Sequence, residues 1–149
     1  MSLLRETETR LAWNRYWCVY GGVLVLDDAG FLWDPAGELG AANPHALRLS
    51  DATFGLCNVL LGEPGMGKSV EIRRVFERTL ADVSADDTCL YVDLAEYQSD
   101  ERLDRRVFDG AAIQSWKASR GVLYLFLDSL DEGQVHIRVL SSYLRSAIG

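Results

Sequence analysis

The stretch Asn58-Val-Leu-Leu-Gly-Glu-Pro-Gly-Met-Gly-Lys-Ser-Val-Glu-Ile72 decides how this chain is read. It sets Gly62, Gly65, Gly67 and Pro64 between an apolar run and a segment of helical spacing, where such residues ordinarily end structure. On the C-terminal side, Lys68–Val83 carries Ile72, Val75, Phe76, Leu80 and Val83 on one helical stripe, with Arg73, Arg74, Glu77 and Arg78 largely outside it. On the N-terminal side, Phe54–Leu61 is short and mostly apolar, the pattern of a strand buried on both faces of a sheet. The same alternation continues downstream. Cys89–Leu94 and Val122–Leu127 read as buried strands, and Asp100–Ser119 and Val135–Ile148 as helices. In the first of these helices Leu103, Val107, Phe108, Ala111 and Trp116 form the expected inner side. Strand and helix in alternation predict an α/β fold, a mainly parallel sheet covered on both faces.

Gly62-Glu63-Pro64-Gly65-Met66-Gly67-Lys68-Ser69 fits G-x-x-x-x-G-K-[ST] at every fixed position. The chemistry behind that spacing is separable. Glycines allow backbone angles that side chains forbid and let phosphate approach the chain. Loop N–H groups and the first N–H groups of the following helix, through Val70, then converge on phosphate oxygens. Lys68 would place its ammonium between the β- and γ-phosphates, and Ser69 Oγ would ligate Mg²⁺. Pro64 stiffens the loop by fixing one backbone angle. Average residue usage gives a chance match at about the 1% level in a chain of this size.

A partner signal lies in Leu123-Tyr124-Leu125-Phe126-Leu127-Asp128-Ser129-Leu130-Asp131-Glu132. An apolar strand that delivers Asp128 at its C-terminal end is what the magnesium side of such a site requires. Asp131 and Glu132 have two readings. Either could polarise an attacking water, or both could favour the N-terminus of the next helix.

LLGEPGMGKS followed by LYLFLDSLDEG resembles the STAND class of P-loop ATPases, close to the NACHT-type modules of bacterial signalling and defence proteins. In that family the second motif is an apolar strand, Asp, a small residue, any residue, then Asp-Glu. Asp128, Ser129, Leu130, Asp131 and Glu132 match it position by position. Many other ATPases place a catalytic Glu directly after the Asp, where this chain has Ser129. The resemblance covers roughly 52–149 and implies a three-layer α/β/α P-loop domain that binds ATP and Mg²⁺ as a switch. It also implies further elements beyond the second motif: a strand, a polar sensor, a fifth strand and a helical lid. The sequence runs one helix past Glu132, so weak or absent hydrolysis by this chain alone is expected. A vacant slot is expected too, between Phe54–Leu61 and Val122–Leu127. A strand donated by a partner, a second copy among them, or a missing C-terminal half of the domain could fill it, or the two edges could pair directly.

Residues 1–51 carry no assigned motif. Their first residues read as a short helix or tail, and Tyr16–Leu26 with Phe31–Trp33 as a β-hairpin around Asp27-Asp28-Ala29-Gly30. Those acids lack the alternating ligands of a calcium loop. The apolar run Tyr16–Leu26 is about half of the roughly 20 residues a membrane span needs. The start mixes Glu6 and Glu8 with Arg5 and Arg10 and the run ends in Asp27 and Asp28, so it does not read as a signal peptide. A net charge of −7 argues against nucleic acid as a partner. Three scattered cysteines and two histidines without ligand spacing argue for reduced thiols, no dedicated metal site and a cytoplasmic setting. A small-molecule kinase would need an acceptor site and a basic lid, and neither is visible. A GTPase would show Asn-Lys-x-Asp, which does not occur. A non-catalytic interaction module on a nucleotide-binding fold, or a non-functional remnant of one, is the remaining alternative.

Overall fold

A computed structural model describes residues 15–52, 55–131 and 137–148. The tail or helix expected at 1–14, the first residue of the predicted strand (Phe54) and Glu132 lie outside them. The chain divides into compact units between Val59 and Leu60.

In the first unit, β1 (Trp17–Cys18) pairs antiparallel with β2 (Ala46–Leu47), Trp17 opposite Leu47. The expected hairpin is corrected to a turn closed by one bridge, Leu26 to Leu32. Asp27 makes that turn: its Oδ1 accepts the N–H groups of Ala29 at 3.0 Å and Phe31 at 2.8 Å. Its carboxylate is spent on backbone, as the turn reading requires. The apolar run before it fails as a strand because Gly21, at φ +80°, bends the chain and Gly22 N donates back to Val19 O at 2.8 Å. Beyond the bend, the buried Asn43 takes the place of a neighbouring strand. Its Oδ1 accepts Val25 N at 2.7 Å and its Nδ2 donates to Val25 O at 2.9 Å.

The second unit is a small α/β arrangement with a short parallel sheet. Helix α1 (Lys68–Asp82) begins inside the glycine-rich stretch. Strand β3 (Thr88–Asp93) pairs in parallel with β4 (Leu123–Asp128), in register from Thr88 opposite Leu123 to Asp93 opposite Asp128. Alternation along the strands sorts the side chains to two faces. Tyr91 and Phe126 meet Phe76 of α1, with ring centroids 5.5 and 5.6 Å apart. On the opposite face Leu90, Leu125 and Leu127 pack against a core of Val92, Leu94, Leu103, Val107, Phe108 and Leu140. Leu140 comes from α4 (Ile137–Ile148). Helices thus cover both faces.

Two further sequence expectations are corrected. The helix expected over Asp100–Ser119 is broken. It runs as α2 (Asp100–Leu103), capped by Ser99 Oγ accepting from Arg102 N, and continues as a π turn over Asp104–Phe108. It stops at Gly110, which is extended at φ −69°, ψ 158° and opens α3 (Ala111–Ala118). A side chain at Gly110 would press on the carbonyl oxygen of Arg106. The break rotates the inner face, so Ile113 is buried while Ala111 is exposed and Trp116 half-buried. The second correction concerns the run before the glycines. Residues 55–61 form bends and irregular chain, with Leu56, Val59 and Leu61 exposed. A buried strand needs a ladder for its backbone, and residues 55–61 take part in none. Locally, Asn58 competes as well: its side chain accepts from Gly55 N at 3.2 Å and donates to Gly55 O at 2.9 Å.

The start of the parallel pair is clamped by one backbone bond and one side-chain bond. Thr88 N donates to Val122 O at 2.8 Å, and Asp87 Oδ1 accepts Val122 N at 2.7 Å. Gly121 passes so close to the Asp86 peptide that an added Cβ would overlap its carbonyl. Gly121→Ala is expected to cost about 3 kcal/mol of unfolding free energy, read by urea denaturation. No helix among the described residues is long and apolar enough to cross a membrane.

Candidate functional site

The glycine-rich stretch is a turn feeding a helix. Met66 N lies 3.4 Å from Glu63 O, with Pro64 and Gly65 between them and Gly65 at φ +83°. Proline followed by a positive-φ glycine is the pattern of a type II turn. Gly67, at φ +85°, then caps α1 in the left-handed conformation. A side chain at either glycine would be strained, so the loop's path depends on both. Gly62, Glu63, Pro64, Gly65 and Met66 are exposed, and Val70 stands exposed on the first turn of α1. The leading N–H groups of that helix, among them those of Lys68, Ser69 and Val70, have no intrahelical partner to reach.

Lys68 folds back over this turn. Its Nζ donates to Gly62 O at 2.7 Å and to Glu63 O at 3.3 Å, so the ammonium sits across the loop's start. The next residue points the other way. Ser69 Oγ donates to Asp128 Oδ1 at 3.1 Å, joining the first turn of α1 to the carboxyl end of β4.

Asp128 is 5% exposed, and both of its oxygens are engaged. Oδ1 also accepts Ser129 N at 2.8 Å. Ser129 achieves this at φ +57°, a strained region for a residue with a side chain, and turns the chain immediately after the carboxylate. Oδ2 accepts the Tyr91 hydroxyl at 2.6 Å. Tyr91 lies opposite Phe126, so its hydroxyl reaches the residue two positions further on the same face of β4. Burial, and then the bond to Asp128, raise the Tyr91 phenol above its ordinary range, which keeps it a protonated donor at neutral pH. Arg73 of α1 stands 4.8 Å from the centroid of the Tyr91 ring.

The described contacts therefore unite Lys68 with Gly62 and Glu63, and Ser69 with Asp128. Asp131 sits exposed in the turn after β4, outside these contacts, and Glu132 lies outside the described residues. Sequence reasoning missed Tyr91. The available signal was a phenol within a buried strand, which usually finds a partner for its hydroxyl. Among the described residues no group of three or more His, Cys, Asp or Glu is placed to hold a metal ion. Ser69 Oγ and Asp128 Oδ1 could supply two oxygens to an ion that arrives with other ligands. An open groove of about 230 Å³ runs along α1 at Ser69, Val70, Arg73, Arg74 and Glu77. It is smaller than the roughly 300 Å³ at which small-molecule pockets begin.

No protein-family model, curated protein or solved structure matches the chain.

Proposed function

We propose that residues 52–149 are an ATP–Mg²⁺-binding P-loop module of NACHT-like, STAND-class type, acting as a nucleotide switch. One observation carries the reading. Ser69 and Asp128, 59 positions apart, are hydrogen-bonded beside the helix start that follows a G-x-x-x-x-G-K-S loop.

The residues present fit the group. Mg²⁺ binds oxygens at about 2.05 Å in octahedral geometry, which sets neighbouring ligands about 2.9 Å apart, and it keeps waters and phosphate oxygens for the remaining positions. The 3.1 Å between Ser69 Oγ and Asp128 Oδ1 suits one edge of such a shell. Lys68 would exchange the carbonyls of Gly62 and Glu63 for the β- and γ-phosphates, while Gly65, Gly67 and the first N–H groups of α1 hold phosphate oxygens. The bound ion would neutralise phosphate charge. Asp131 or Glu132 would polarise water in turnover. Free cysteines at 18, 57 and 89 fit a cytoplasmic setting.

A second reading, a non-catalytic interaction module or remnant of this fold, is favoured by the irregular course of residues 55–61, which leaves the loop without a strand leading into it. Titration with a fluorescent ATP analogue separates the two. The nucleotide reading expects saturable binding that Mg²⁺ tightens, with Asp128→Asn losing about tenfold of the Mg²⁺-dependent gain and leaving binding in EDTA unchanged. Absence of saturable binding favours the module.

A further inference from the structure

We infer that Tyr91 is a positioning residue for Asp128: its hydroxyl pins Oδ2, so that the carboxylate presents Oδ1 to Ser69 and to an ion bound there. The inference rests on the nucleotide reading above and assigns a role to a residue outside both motifs.

Asp128 is nearly buried, and a buried carboxylate holds its orientation only if its lone pairs are matched by donors. Ser69 and Ser129 both donate to Oδ1, and Tyr91 donates to Oδ2 at 2.6 Å. Without Tyr91, Oδ2 would have no donor among the described contacts, and the carboxylate would be free to turn and share the Ser69 and Ser129 donors between its two oxygens. That rotation would spoil the pairing of Oδ1 with Ser69. The phenol is itself held by two side chains. Phe76 packs against it with centroids 5.5 Å apart, and the Arg73 guanidinium covers its face. Both come from α1, the helix that carries Lys68 and Ser69 at its start. One helix thus bears the proposed phosphate-holding lysine and one proposed ion ligand, and also clamps the residue that aims the other.

The phenol's role is separable from its packing, because Tyr91→Phe keeps the ring and removes only the donor. The experiment titrates Mg²⁺ against binding of the fluorescent ATP analogue and compares the half-saturating Mg²⁺ concentration between chains. Tyr91→Phe is expected to raise it about tenfold, the usual effect of losing one hydrogen bond to a charged group. Nucleotide binding in EDTA should stay within about twofold. Tyr124→Phe, which removes the hydroxyl of an exposed tyrosine on β4, should leave the Mg²⁺ response at the wild-type value. In an Asp128→Asn background, Tyr91→Phe should add no further change, since the two act through one bond. An unaltered Mg²⁺ midpoint in Tyr91→Phe, or additive effects in the double variant, would overturn the inference while the nucleotide reading stands. A wild-type chain with no Mg²⁺ response would overturn both.

Discussion

Lys68→Ala is expected to weaken Mg²⁺-ATP binding by about 100-fold, the largest loss any single side chain of the site should cause. The ammonium now donates to two loop carbonyls at 2.7 and 3.3 Å, which are neutral acceptors. On a nucleotide it would meet two anionic phosphates instead, and hydrogen bonds to charged groups contribute about 1.5–3 kcal/mol each. About 2.8 kcal/mol of net loss corresponds to two decades in affinity. The same substitution should barely touch the fold, because Lys68 is not part of the apolar core. Its melting temperature should remain within about 3 °C of wild type. The affinity comes from the fluorescent-analogue titration and the melting point from far-ultraviolet circular dichroism. Equal affinity in the two chains would remove Lys68 from the site, and the loop assignment with it.

Leu103→Ala is expected to have the largest effect on stability. Leu103 is 0% exposed and sits in the cluster formed by Val92, Leu94, Val107, Phe108 and Leu140. It lies where α2 passes into the π turn, so its side chain fixes that irregular segment against the sheet. Truncating a fully buried leucine removes transfer energy and leaves a cavity, about 3 kcal/mol in total. In a unit of this size that should lower the melting temperature by roughly 12–24 °C. Leu80→Ala is the matched control. Leu80 is 51% exposed on α1, and its loss should cost well under about 1 kcal/mol. Urea denaturation of the two variants measures both values. Similar midpoints for Leu103→Ala and wild type would show that the core lies elsewhere.

The parts of this fold that were legible in the sequence are those set by local pattern. The first turn of α1 falls where the helical stripe begins after Gly67, and β3 and β4 lie within one residue of the expected apolar runs, because each run is short and bounded by polar chain. Ser69 and Asp128 were each singled out by their own stretch of sequence, and the structure sets their side chains 3.1 Å apart. What failed depends on non-local pairing. The composition of Phe54–Leu61 states that burial would be favourable, but only a neighbouring strand can satisfy its backbone, and composition does not reveal one. The hairpin failed similarly, at a glycine pair whose bend an apolar count does not weigh. The break at Gly110 carried a local signal, a glycine inside a helical pattern, that the surrounding apolar spacing outweighed. The partner of Tyr91 was out of reach for another reason. The Tyr91 bond to Asp128 follows from the parallel register of β3 and β4, and register appears only once the two strands are side by side.

The loop and Asp128 are proposed to form one nucleotide–magnesium site. Isothermal titration of the wild-type chain with ATP, in Mg²⁺ and again in EDTA, tests it most directly. The expected result is one saturable site in Mg²⁺ that weakens by at least about tenfold in EDTA. Heat of dilution alone in both buffers would contradict it.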